Sequence, residues 1–177
     1  MKKACLSFRR TAISAYVTLP LLTLAVILQT TLNRYLNIND IHPNLVLVFV
    51  LSCSLLKGWQ RAILLALAGG IFLDLLTSVH LGIFTISLMI TALLATFWQT
   101  RYFANMILPI LLAFPYSLLF NLLILIALRL SGYSVAWLEI LRTIVVPESL
   151  LNVLVMVIIY PLLTWLNNQR QKGELRI

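Results

Sequence analysis

The chain has 177 residues, of which 62% are hydrophobic and only 10% charged, and its mean hydropathy is +1.02. Soluble domains carry about a quarter charged residues, so water is excluded as the solvent for most of this surface. The net charge of +8 does not point to nucleic acid, because Lys and Arg stand one to four at a time between apolar runs and form no basic stripe.

The apolar runs approach the ~20 residues that a helix needs to cross a bilayer, which excludes a barrel of short alternating strands. The expectation is an all-α integral membrane protein, one transmembrane domain over 1–177 with six helices. Lys2, Lys3, Arg9 and Arg10 precede an apolar run over 12–31. That run is too long for a signal core and no small-x-small site follows it, so it reads as an uncleaved first span. The second span, over 43–59, is the weakest. Its apolar part, Pro43 to Leu56, would reach only ~21 Å as a helix, although Pro43 suits a first helical turn.

The third and fourth spans are expected over 62–79 and 82–98. The fifth, over 103–128, contains Pro109 and Pro115 and is expected to bend. The segment Ser131 to Arg142, with Trp137, Leu138, Ile140 and Leu141, has material for a short interfacial helix before the sixth span over 146–166. Trp59, Trp98, Trp137 and Trp165 all fall at span ends, as interfacial anchors do. Alternate loops carry ten Lys and Arg against three, which predicts that both chain ends face the cytoplasm of an inner-membrane protein.

Asp74 is the one acid well inside an apolar run, where insertion costs about 2.5 to 3.5 kcal/mol. Ala66 and Gly70, with Gly69 beside them, form a small-residue ridge before it that would let a neighbouring helix approach closely. His80, Asn121, Glu148 and Asn152 fall in the same outer half, and together with Asp74 they make a candidate outward polar cluster that hydrogen-bonds or pairs the carboxylate. A second reading stays open, in which Asp74 caps the third helix or bonds loop amides near Thr77 and Ser78. Read singly, His80 is an interfacial loop residue, Glu148 a first-turn residue favoured by the helix dipole, and Asn121 a link between helices.

Catalysis has little support: there is no HExxH, no Gly-rich phosphate loop, no GxSxG and no close pair of acids within a span. Cys5 and Cys53 give neither a disulfide framework nor metal-ligand spacing. No cofactor, no metal and no nucleic acid is expected.

The stretch Gly69-Gly70-Ile71-Phe72-Leu73-Asp74-Leu75-Leu76, followed by His80-Leu81-Gly82, resembles the signature of the MreD family of rod-shape-determining membrane proteins. Pro43-Asn44 opening a short second helix and the turn from Lys57 to Trp59 fit the same pattern. Gly70, Asp74 and Gly82 carry the match, and Ala66, Gly69, Gly70 and Gly82 become candidates for helix packing or partner binding. The resemblance implies a non-catalytic scaffold of the peptidoglycan elongation machinery, with an MreC-like protein as the closest partner and MreB, RodA and a class-B penicillin-binding protein in the wider assembly. It also implies a fold similar to the membrane substrate-binding subunits of energy-coupling vitamin transporters. Such a transport subunit is the rival function, although Ala12-Ile13-Ser14-Ala15-Tyr16 lacks the AxxxA pattern expected for docking to a coupling subunit.

Overall fold

The computed structural model describes residues 20–31, 42–57, 59–77, 81–98, 107–133 and 137–174. Among the described residues the chain is all-helical, with no strand. The helices are α1 (Pro20–Thr31), α2 (Leu45–Lys57), α3 (Trp59–Leu76), α4 (Ile83–Trp98), α5 (Ile107–Leu130), α6 (Trp137–Ile140) and α7 (Val146–Glu174). A π-helical turn over Leu141–Val145 joins α6 to α7, so these run on as one body. Among the described residues three segments are long and apolar enough to cross a membrane: Trp59–Leu76, Ile107–Leu130 and Leu141–Leu166. Three apolar helices, α1, α2 and α4, are shorter over their described residues.

The helix that looks weakest in the sequence is the core of the bundle. Every residue of α2 from Leu45 to Leu55 is buried, none more than 6% exposed, and α2 packs against α3, α4, α5 and α7. A helix that is apolar on all sides has to be enclosed by protein or lipid, and here protein encloses it. Its length therefore answers to its neighbours rather than to the bilayer. Leu22 and Val26 bring α1 onto the same core, where Leu22 approaches Gly69 beside Val46.

The other helices turn their apolar side chains outward. On α4, Ile86, Ile90, Leu94 and Phe97 are exposed while Ser87, Thr91 and Ala95 are buried. That inversion of the soluble pattern suits a hydrocarbon surround. The buried hydroxyls are satisfied locally, Ser87 donating to Ile83 O and Thr91 to Ser87 O, both at 2.7 Å. Trp59 and Trp165, at span ends, are 61% and 58% exposed.

Two local expectations change. Pro109 lies in the first turn of α5, where its missing N–H removes no intrahelical bond, so only Pro115 interrupts the ladder. The short helix expected before the sixth span is present as α6, but it runs on through the π turn into α7 instead of standing apart. The π turn, closed by Val146 N–H donating to Leu141 O, lies just ahead of Pro147, whose ring would meet the carbonyl of Thr143 in regular α geometry.

Candidate functional site

Short connections make α2, α4 and α7 begin at one end of the bundle, the end at which α1, α3 and α5 finish. Two polar nodes lie there in otherwise apolar surroundings.

The first joins α3 to α4. Ala66, Gly70 and Asp74 recur every fourth residue and so share one face of α3. Thr85 packs against Gly70 so closely that a Cβ on the glycine would overlap the Thr85 Cα, with Oγ1 2.9 Å away. One turn further, Asp74 is only 4% exposed and takes three hydrogen bonds from α4. The Phe84 amide donates to Oδ1 at 3.0 Å, the Thr85 amide to Oδ2 at 3.2 Å, and the Thr85 hydroxyl to Oδ2. Asp74 thus serves as the N-terminal cap of the following helix, satisfying amides that have no intrahelical acceptor and placing a negative charge at the positive end of the helix dipole. Gly82 starts that helix, its carbonyl accepting from Ile86 N–H at 2.9 Å, and it has a φ of +104°. Nothing lies within 4 Å of a Cβ placed there, so its contribution is backbone conformation and not packing.

Among the described residues Asp74 takes its hydrogen bonds from α4, a source neither sequence reading named. Among the described residues, Asn121, Glu148 and Asn152 give it no hydrogen bond, and its amide donors come from α4 rather than from Thr77. Ser78 and His80 lie outside the described residues. Gly69 meets Val46 of α2 and Gly70 meets α4, so both glycine contacts are internal to the chain.

The second node caps the buried start of α2. The Asn44 amide donates to Asn152 Oδ1 at 2.7 Å, and Asn152 Nδ2 donates to Ser117 Oγ at 2.7 Å. The Leu47 amide donates to Asn44 Oδ1 at 3.0 Å, and the Val46 amide to Gln29 Oε1 at 3.0 Å. Side chains from α1, α5 and α7 thereby tie down the first turn of the central helix, where water cannot reach. Asn121 and Glu148 are neighbours one turn nearer the end of the bundle. The two nodes meet through Phe84 and Phe120, whose ring centroids are 6.4 Å apart. No group of His, Cys, Asp and Glu able to hold a metal is present among the described residues.

Gly70, Asp74 and Gly82, the positions that carry the resemblance, are thus parts of one helix-turn-helix clasp. The sequence model of the family described as rod shape-determining protein MreD matches residues 10–170. The chain belongs to the MreD family. Membership carries a role in determining rod shape, and the apolar helices agree with the membrane setting of that family. Neither among curated proteins nor among solved structures does the chain find a match.

In this MreD-family chain, Gln29, Ser117, Thr85 and the capping role of Asn44 are what sequence reasoning missed. Asn44 was the most accessible of them, since Asn directly before an apolar run is a strong N-cap signal, and with Asn44 as the cap Pro43 precedes the helix and does not sit in its first turn. Two expectations follow for purified protein in detergent. Gly82→Ala should lower stability by about 1–2 kcal/mol through backbone strain alone. An Asn at the same position, which tolerates positive φ better, should cost less. Asn152→Leu strands the Asn44 amide and the Ser117 hydroxyl together and should cost about 2 kcal/mol, whereas Ser117→Ala should cost about 1 kcal/mol. Denaturant-induced unfolding would measure both series.

Proposed function

We propose that this chain is a non-catalytic membrane scaffold of the cell-elongation machinery, crossing the inner membrane six times with both ends in the cytoplasm and binding an MreC-like membrane protein. Through that partner it would join MreB, RodA and a class-B penicillin-binding protein in peptidoglycan synthesis. The observation that carries this reading is the family match over residues 10–170, which includes every described helix up to the last turn of α7. The bundle supports it in a second way. Its polar groups are largely spent on capping its own helices, as in a rigid platform, and its outer surface is apolar side chains suited to lipid and to other membrane helices.

Tagged full-length protein extracted from membranes should bring down an MreC-like protein, and its depletion from a rod-shaped host should give rounded cells. Recovery of a bound vitamin with an ATP-hydrolysing coupling complex, in place of an MreC-like protein, would overturn the scaffold reading. Reporter fusions at the two chain ends should both report the cytoplasmic side; opposite sides would defeat the six-span arrangement.

A further inference from the structure

Hydrogen bonds and one close contact give four helices a common depth. The Asn44 amide at the start of α2 bonds Asn152 of α7, Asn152 bonds Ser117 of α5, and Val46 of α2 lies against Gly69 of α3. Away from that level the helices differ in reach at one end only. Toward the end where α3 and α5 begin, Trp59 and Ile107 both stand ~15 Å off. Toward the other end, α3 stops at Leu76, ~10 Å off, and α4 starts against it, tied by Thr85 to Gly70 and Asp74. There α5 runs on to Leu130, ~20 Å off, and the body formed by α6, the π turn and α7 begins at Trp137, ~22 Å off. The α3–α4 hairpin therefore ends ~10 Å short of its neighbours.

The two sides of the bundle meet lipid on different terms. Near the top of the tall side Arg129, Tyr133 and Arg142 are exposed, and such side chains sit well among headgroups, so protrusion there is tolerated. On the short side Leu64, Ile71, Leu75 and Ile86 face outward. Gln60 and Arg61 stand in the first turn of α3, and its apolar part from Ala62 to Leu76 covers only ~22 Å of a hydrocarbon core that is typically ~30 Å deep. Tilting shortens the reach of a helix across the bilayer and never extends it, so the short side sets the depth. We propose that the α3–α4 face is an interaction surface for a thinned bilayer, taking shorter-chain lipids whose hydrocarbon layer is about 25 Å deep along that side of the bundle. The membrane steps up from there to the tall side. This property belongs to the bundle in its membrane and needs none of the partners named above.

The test uses the full-length chain, one copy per nanodisc, in phosphatidylcholines of graded chain length whose hydrocarbon layers run from about 22 to about 34 Å, and reads the thermal unfolding midpoint. The midpoint is expected to peak near 25 Å and to fall by roughly 3 °C or more by about 30 Å. Leu76→Gln, at the exposed end of α3, shortens the short side further and should move the peak to thinner discs. Leu130→Gln, at the exposed end of α5, makes the same exchange on the tall side and should leave the peak where it is. A peak at about 30 Å or beyond, as α5 and α7 alone would set, overturns the proposal, and so does a midpoint indifferent to chain length. Equal shifts from the two variants overturn it as well, because the depth would then not be set at α3 and α4. Where a variant fails to fold, the position of the peak on the unaltered chain decides. Discs loaded with two copies cover the remaining occupant: a midpoint that rises at every thickness assigns the face to a second copy of the chain and overturns the lipid reading.

Discussion

Gly70→Ala should destabilise the protein by about 3 kcal/mol, although it adds a single methyl group. The added Cβ would overlap the Thr85 Cα, which is backbone and cannot rotate aside. To make room, α3 and α4 have to separate, and the separation acts one turn away on the bonds that Phe84 and Thr85 make to Asp74. The loss is therefore more than overpacking. In a double-mutant cycle, Gly70→Ala and Asp74→Asn should be strongly non-additive, because the first substitution already weakens what the second removes. Gly69→Ala is the control. Its Cβ would meet Val46 Cγ1 at 2.9 Å, a side-chain methyl that can yield, and the expected loss is about 1 kcal/mol. Equal effects at the two glycines in denaturant unfolding, or simple additivity with Asp74→Asn, would mean that the close approach at Gly70 is not what holds the clasp together.

How far the clasp could be read from the sequence depends on which residues stand out chemically. Asp74 does, because a carboxylate in an apolar run demands a partner. Gly70 does, because small residues at four-residue spacing mark a close contact. Thr85 does not: a threonine in an apolar helix carries no sign of whether it bonds a carbonyl one turn back in its own helix, as Thr91 does to Ser87, or reaches another helix. The sequence therefore shows that Asp74 needs donors but not that α4 supplies them. Asn121, Glu148 and Asn152 were grouped by depth, and depth does place them at the same end of the bundle. It says nothing of azimuth, and azimuth assigns Asn152 to the cap of α2 and Asp74 to the cap of α4.

The short second helix was hidden for a different reason. Bilayer thickness is the right ruler for a helix that faces lipid, whereas Leu45 to Leu55 face other helices on every side. The absence of any polar stripe over that run was the available sign. Pro147, just past the start of the sixth apolar run, could likewise have warned of a distorted turn before it. No pattern in Leu141 to Val145 specifies that the distortion is a π turn.

Asp74→Ala should be the second severe change, costing about 2–4 kcal/mol, since it strands two amides and a hydroxyl at a buried helix start and removes the negative charge from the dipole. Asp74→Asn keeps the shape and one acceptor oxygen but turns an amide group toward donors, so it should cost about 2 kcal/mol, less than alanine. Thr85→Val removes the hydroxyl alone and should cost about 1 kcal/mol, because both backbone amides keep their carboxylate. All three figures sit toward the lower end of what hydrogen bonds and charges give in water, because a chain unfolded within a membrane also finds polar partners. The order is the firmer expectation: alanine worst, asparagine next, and the threonine change mildest. Leu75→Ala, at an exposed neighbouring position, serves as the reference for a lost lipid-facing side chain. If Asp74→Ala unfolds at the same denaturant concentration as Leu75→Ala but still abolishes rod shape in cells, then the carboxylate acts on a partner and not on α4, and the clasp is not the reason this chain carries an acid there.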